Sequence, residues 1–146
     1  MLIDLSHDNH EIQKLTAFSN IFERLFEVIN EEGGSEGSEV VQSCLILLNN
    51  LLDNNISTQN IFRETNCISK LRELLKIDNS DMWILTDNKK SILVLTLKII
   101  SILVSGSTTS TRSNQEIITK QGIFSLVIQL ALGKVSDPRF KLSYFF

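Results

Sequence analysis

The chain has 146 residues, 42% of them hydrophobic and 21% charged, enough for one globular domain with a real core. A net charge of −3 and a pI near 5.4 exclude a broad basic surface for nucleic acid or acidic lipid. A single proline and six glycines argue against a turn-rich β fold, and the dense Leu and Ile argue against disorder.

Residues 1–8, with apolar Leu2, Ile3 and Leu5, read as the tail of an element whose start is missing. They lack the basic start and long apolar core of a signal peptide. Asn9 or Asp8 is placed to cap a helix from His10, in which Ile12, Leu15 and Phe18 share a face. In a second helix Ile21, Phe22, Leu25, Phe26, Val28 and Ile29 repeat at helical spacing, with Glu23, Arg24 and Glu27 outside. Gly33 to Ser38 reads as a flexible loop, and Ser38 as the cap of the next helix. That helix, running to Asn54, is apolar most of the way round. Leu45, Leu48, Leu51 and Leu52 form its face, and Ile46 and Leu47 widen it. It is too short to span a bilayer, so it is expected between neighbouring helices.

Ser57 is the expected cap of a short helix from Gln59 to Thr65, carrying Ile61 and Phe62. Ile68, Leu71, Leu74 and Leu75 share a face in the helix after it. Residues 76–88 read as a loop that docks Trp83, and Asp87 as the cap of a long helix, Lys89–Ser105. Its apolar run from Ile92 to Val104 is broken by Thr96, Lys98 and Ser101, which fits a buried helix and not a membrane span. Gly106 to Thr111 reads as low-complexity and mobile. Ser113 with Glu116 forms a capping box opening a short helix through Thr119. Gly122 ends it, and Ile123–Leu132 forms an apolar helix ending at Gly133. The tail from Asp137 begins an element that it does not finish. Cys44 and Cys67 lie in apolar contexts, as core thiols of a reducing compartment do. In that setting the sequon at Asn55 has no glycosylation to receive.

Three segments repeat: Asn20 to Ile29, Asn66 to Leu75 and Gly122 to Ala131, offset by 46 and 56 residues. Each opens on Asn or Gly, which tolerate a left-handed backbone. Each follows a short helix and precedes, after a loop, a long apolar one. This is the pattern of armadillo-type repeats, in which one layer covers the long helix of the next. The expected fold is therefore all-α, an armadillo-like right-handed α-solenoid of about three incomplete repeats. Its layers run roughly over residues 9–55, 57–105 and 113–146. The long helices, Ser38–Asn54 and Asp87–Ser105, are expected to lie parallel on the inner face.

No catalytic constellation emerges. His7 and His10, near Asp4 and Asp8, have a spacing that suits two metal ligands on a helix, but a frayed polar terminus explains them as well. No Ser/His/Asp or Cys/His pairing is supported, and Gly33, Gly34 and Gly37 follow a helix and lack the Lys of a phosphate loop. The sequence thus points to no catalytic, metal or cofactor site. Asn49 and Asn50 sit on the long helix. Their amides either face the groove and bond an extended peptide backbone, or satisfy carbonyls within the stack. The matching place near Ser101 has no Asn, which weakens a regular peptide groove of the nuclear-import type.

Glu11-Ile12-Gln13-Lys14, Ala17-Phe18 and Phe22-Glu23-Arg24-Leu25 resemble the globular head of the general vesicular transport factors, the coiled-coil Golgi tethers. The run from Cys44 to Glu64 resembles that head's most characteristic segment, through Leu47-Leu48, Asn50-Leu51-Leu52, Asn54-Asn55, Ser57, Gln59-Asn60, Phe62 and Glu64. Trp83, Ile102 to Ser105 and Gln121-Gly122 continue the likeness, which covers roughly residues 2–133. Asp53 departs from it where the family usually has a basic residue, and so does the tail 136–146. The family's heads carry further repeats on both sides, then a long coiled coil. The chain has no sustained heptads and resembles an internal piece of the head.

The resemblance implies vesicle tethering between endoplasmic reticulum and Golgi and within the Golgi. It implies a cytosolic protein held peripherally on Golgi and vesicle membranes through its partners. Those partners are Rab-type small GTPases, membrane-fusion (SNARE) proteins and Golgi matrix proteins. Protein contacts are expected at Asn49, Asn50, Asn54, Asn55, Gln59, Asn60 and Glu64. The alternative is a generic armadillo-type peptide-binding adaptor. Open ends exposing Ile3, Phe140 and Phe145 favour self-association.

Overall fold

Nine α-helices make up most of residues 1–77 and 85–131, the part that the computed structural model describes, and no strand occurs among them. They are α1 Leu2–Ser6, α2 His10–Phe18, α3 Ile21–Glu31, α4 Glu39–Leu52, α5 Ile56–Glu64, α6 Cys67–Leu74, α7 Asp87–Val104, α8 Thr109–Lys120 and α9 Ile123–Ala131. Trp83, Leu132, Gly133 and the tail from 136 lie outside the described residues.

The turns that join each short helix to the next set the architecture. Asn20, Asn66 and Gly122 all have positive φ, at 58°, 57° and 71°. One left-handed residue reverses the chain, so α2 folds back on α3, α5 on α6, and α8 on α9. A long helix then closes the layer, α4 after α3 and α7 after α6. The result is an armadillo-type stack, with α1 in the place of a preceding long helix. Its core runs unbroken through the layers, from Phe22 and Phe26 past Leu45, Leu48 and Leu51 to Ile92, Ile99 and Ile118. The long helices run side by side in the same direction. Gln42 Nε2 donates to Asn88 Oδ1 at 3.2 Å and Asn49 Nδ2 to the Leu95 carbonyl at 3.2 Å, both across 46 residues. A constant offset is the signature of parallel neighbours.

Several local expectations change. On α2 the buried residues are Gln13 and Ala17, while Leu15 points outward; the side chain of Phe18 is outside the described set. A buried amide displaces the apolar face because a carbonyl beneath it needs a donor, as set out below. Ile46 does not widen the buried face of α4 but is exposed. The cap of α5 is Asn55 rather than Ser57: its side chain accepts from Thr58 N, so the helix starts three residues earlier. Thr86 replaces Asp87 as the cap of α7, accepting from Lys89 N at 3.1 Å. Thr108 caps α8 by accepting from Thr111 N at 3.1 Å. Thr109 to Thr111 are therefore helical rather than a mobile loop, and Ser113 sits inside the helix instead of opening it. Ser38 does hold the N-cap position of α4, without a side-chain capping bond.

The glycine loop after α3 is pinned rather than flexible. Gly34–Glu36 winds into a 3-10 turn. Lys89 Nζ, buried on α7, meets Glu36 Oε1 at 2.9 Å and donates to the Lys76 carbonyl at 2.9 Å. Gly37 packs so closely that a Cβ there would lie 2.3 Å from Val41 Cγ2 and 2.7 Å from the Glu32 carbonyl oxygen.

Candidate interaction surface

A long helix ends with four carbonyls that its own backbone cannot satisfy. In this stack the next short helix supplies the donors. Gln13 Nε2 on α2 donates to the Ser6 carbonyl at 2.8 Å, at the end of α1. Gln59 Nε2 on α5 donates to the Leu52 carbonyl at 3.0 Å, at the end of α4. On α8, Asn114 Nδ2 donates to the Leu103 carbonyl at 3.1 Å and Gln115 Nε2 to that of Val104 at 2.9 Å, at the end of α7. Thr58 Oγ1 adds a bond to the Leu51 carbonyl. The same physical need is met the same way at each layer.

The amide oxygens then tie one short helix to the next. Asn55 Nδ2 donates to Gln13 Oε1 at 3.0 Å, and Arg63 Nη1 donates to Asn114 Oδ1 at 2.9 Å and to Ser110 Oγ at 3.1 Å. Ser110 Oγ in turn donates to Asn60 Oδ1. Asn50 Nδ2 donates to the Ile3 carbonyl at 3.0 Å. Asn49 Nδ2 serves the Leu45 carbonyl at 2.9 Å as well as that of Leu95. Its Oδ1 is the one buried side-chain nitrogen or oxygen without a hydrogen-bond partner among the described residues.

The seven residues read as contact points thus divide. Asn49, Asn55 and Gln59 are buried and bonded within the stack. Asn50 and Asn60 are half-buried, with one bond each into a neighbouring layer. Asn54 is exposed in a left-handed turn, φ 50°, and Glu64 is exposed at the end of α5. Of the seven, Asn54 and Glu64 are the two that face outward. The sequence reading passed over Gln13, Arg63, Ser110 and Asn114. A signal was available for the first: Asn9 with Gln13 four residues on recurs as Asn55 with Gln59, 46 residues later.

A cavity of about 740 Å³ opens between α3, α6 and α7, floored by Phe26, Ile29 and Leu74, with Lys70 and Lys89 at its wall. Lys70 Nζ lies 5.4 Å from the Phe26 ring centre, a cation–π contact. The thiols are sequestered. Burial, and then the charge of Glu32, push the Cys44 thiol up; burial pushes up Cys67, against the opposing hydrogen bond of Thr65. His7 Nδ1 lies 3.1 Å from Asp8 Oδ2 on an exposed turn. Among the described residues, no group of three or more His, Cys, Asp or Glu side chains is close enough to hold a metal ion. No described helix is long and apolar enough to cross a membrane.

No protein-family model matches the chain. Among curated proteins it is 38% identical to the intracellular protein transport protein USO1 of Saccharomyces cerevisiae, over 90% of this chain and 7% of that protein. It is 38% identical to the human general vesicular transport factor p115, over 94% of this chain and 15% of that one. A crystal structure of Uso1 matches with a TM-score of 0.81 at 39% identity, over 89% of this chain and 20% of the solved one. The chain therefore spans a small part of the length of these relatives.

Proposed function

The chain belongs, over the stretch it shares with them, to the general vesicular transport factor family, and on that premise we propose that it is a protein-binding platform in vesicle tethering between the endoplasmic reticulum and the Golgi. The observation that carries this reading is the joint likeness in sequence and backbone, which runs through nearly all of the described stack. The platform acts by presenting a surface and makes or breaks no covalent bond. Its partners are Rab-type small GTPases, SNARE proteins and Golgi matrix proteins, and it sits in the cytosol, held on Golgi and vesicle membranes through them. The exposed Asn54 and Glu64 supply contacts. The internal use of Asn49 and Asn55 supports this reading over an extended-peptide adaptor, because amides already bonded to the stack are not available to read a peptide backbone.

The test is capture of Rab-type GTPases on the immobilised chain. Retention of a GTP-loaded form over its GDP-loaded form is expected, and Glu64→Lys weakens it without changing thermal stability. Retention of extended peptides, with no Rab captured in either state, would favour the adaptor instead.

A further inference from the structure

A lysine rarely sits buried in the first turn of a helix, where the partial positive charge of the helix end opposes it. Lys89 does so on α7, three residues after the capping Thr86 and with its side chain 3% exposed. Among the described residues two acceptors hold its ammonium. One is the Lys76 carbonyl, just past the end of α6, at 2.9 Å. The other is Glu36 Oε1, also at 2.9 Å. That carboxylate belongs to the 3-10 turn Gly34–Glu36, and its side chain is 64% exposed.

The turn has little else to keep it wound. So short a 3-10 helix makes few bonds, and glycine loses more freedom on being fixed than any other residue. Its backbone bonds are both local: Glu36 N donates to the Gly33 carbonyl and Gly37 N to that of Gly34, each at 3.1 Å. Gly33 and Gly34 hold φ of 98° and 57°. Among the described residues, the contact with Lys89 is the turn's one side-chain bond to another part of the stack. The base of the loop is fixed differently. Gly37 is wedged against Val41 and the Glu32 carbonyl, and a Cβ on Gly33 would lie 3.4 Å from the Gly37 Cα. The tip can therefore unwind while α3 and α4 stay in place. Gly34, Ser35, Glu36 and Lys89 all line the cavity between α3, α6 and α7, so unwinding reshapes that wall.

We propose that Gly34–Glu36 is a salt-sensitive latch on this cavity wall, held shut by the ion pair of Glu36 with Lys89. Shut, it occupies the Lys89 ammonium. Open, it leaves that ammonium on the Lys76 carbonyl and able to take another acidic group in place of Glu36. Because the carboxylate is exposed, dissolved ions screen the pair, and rising ionic strength favours the open form.

Amide hydrogen exchange of Glu36 and Gly37, read by NMR on the whole chain, tests this with Glu36→Gln and Lys89→Met. Glu36 is exposed, so circular dichroism of Glu36→Gln should match the wild type. Both amides should exchange at least about threefold faster in Glu36→Gln, while the amides of α4 and α7 keep their rates. In the wild type the two rates should rise with added salt, and in Glu36→Gln they should no longer respond. Lys89→Met should reproduce the fast exchange, and combining the two substitutions should add nothing further at Glu36 and Gly37. Unchanged exchange in Glu36→Gln, or wild-type rates indifferent to salt, overturns the proposal. So does faster exchange in Glu36→Gln spread evenly over α4 and α7, which would make the pair a prop of the whole stack and not a latch.

Discussion

Asn49 on α4 donates through one amide nitrogen to two carbonyls, Leu45 on its own helix at 2.9 Å and Leu95 on α7 at 3.2 Å. The neighbouring amide oxygen is buried and unpaired among the described residues. The side chain therefore combines a stabilising donor with a costly acceptor. Asn49→Leu removes both and adds apolar volume, so stability should stay within about 1 kcal/mol of wild type. Asn49→Asp keeps the shape but faces a carboxylate with two carbonyl oxygens, and should cost at least about 3 kcal/mol. Urea unfolding followed by circular dichroism separates the two; an equal loss for both would show that the donor matters more than the unpaired oxygen.

Leu48 lies fully buried on α4, the central helix of the stack. Leu48→Ala should cost about 2–5 kcal/mol through lost transfer energy and the cavity left behind. Ile46 lies on the same helix but is exposed, and Ile46→Ala should change stability by less than about 0.5 kcal/mol. Comparable effects at the two positions would contradict the orientation of α4.

Gly37 has an ordinary φ of −67°, so its requirement is space rather than backbone freedom. An added Cβ meets Val41, itself buried, and the backbone of Glu32. Gly37→Ala should cost about 1–3 kcal/mol, as overpacking does. Gly34, with φ 57° and open space around its Cβ position, should tolerate Ala with strain alone. A melting temperature lowered more at Gly34 than at Gly37 would count against the close packing described.

The two thiols make stability fall with alkali. Each has its folded-state pKa raised above the ordinary value of 9.0. A raised value means that the folded state holds the proton longer than the unfolded chain does. The contribution is whole below about pH 9 and is lost as pH climbs through the folded values. Replacing both residues by Ala should lower stability at pH 7 but flatten its decline above about pH 9. Chemical denaturation across that range, wild type against double variant, reads the two slopes; identical slopes would remove the thiols from the explanation.

Much of the architecture was legible because its physics is local. Asn20, Asn66 and Gly122 were readable as left-handed turns from residue type and period, and the apolar faces of α3, α4 and α6 from spacing. Caps were less readable. Asn54, Asn55 and Ser57 all suit an N-cap, and the choice of Asn55 follows from its second bond, to Gln13 on another layer. Leu15 misled for a related reason. Its helical spacing matches a core face, but α2 turns inward the amide that the Ser6 carbonyl requires. The contact residues were the least legible, since Asn49, Asn55 and Gln59 look alike in sequence whether an amide meets solvent, a partner or the next layer.

The closing of each long helix by the following short one gives unfolding a direction. If α8 detaches, the carbonyls of Leu103 and Val104 lose their donors and the end of α7 is left to fray. If the end of α7 frays first, only the side-chain amides of buried Asn114 and exposed Gln115 lose partners, while α8 keeps its own backbone ladder. Disorder should therefore spread toward the N-terminus more easily than away from it. Hydrogen exchange would register this as a gradient of protection rising from α8 back through α7 to α4. A stack bonded in this way resists loss at its near end and yields at its far end, so the order in which layers come apart is already written in which helix owns the donors.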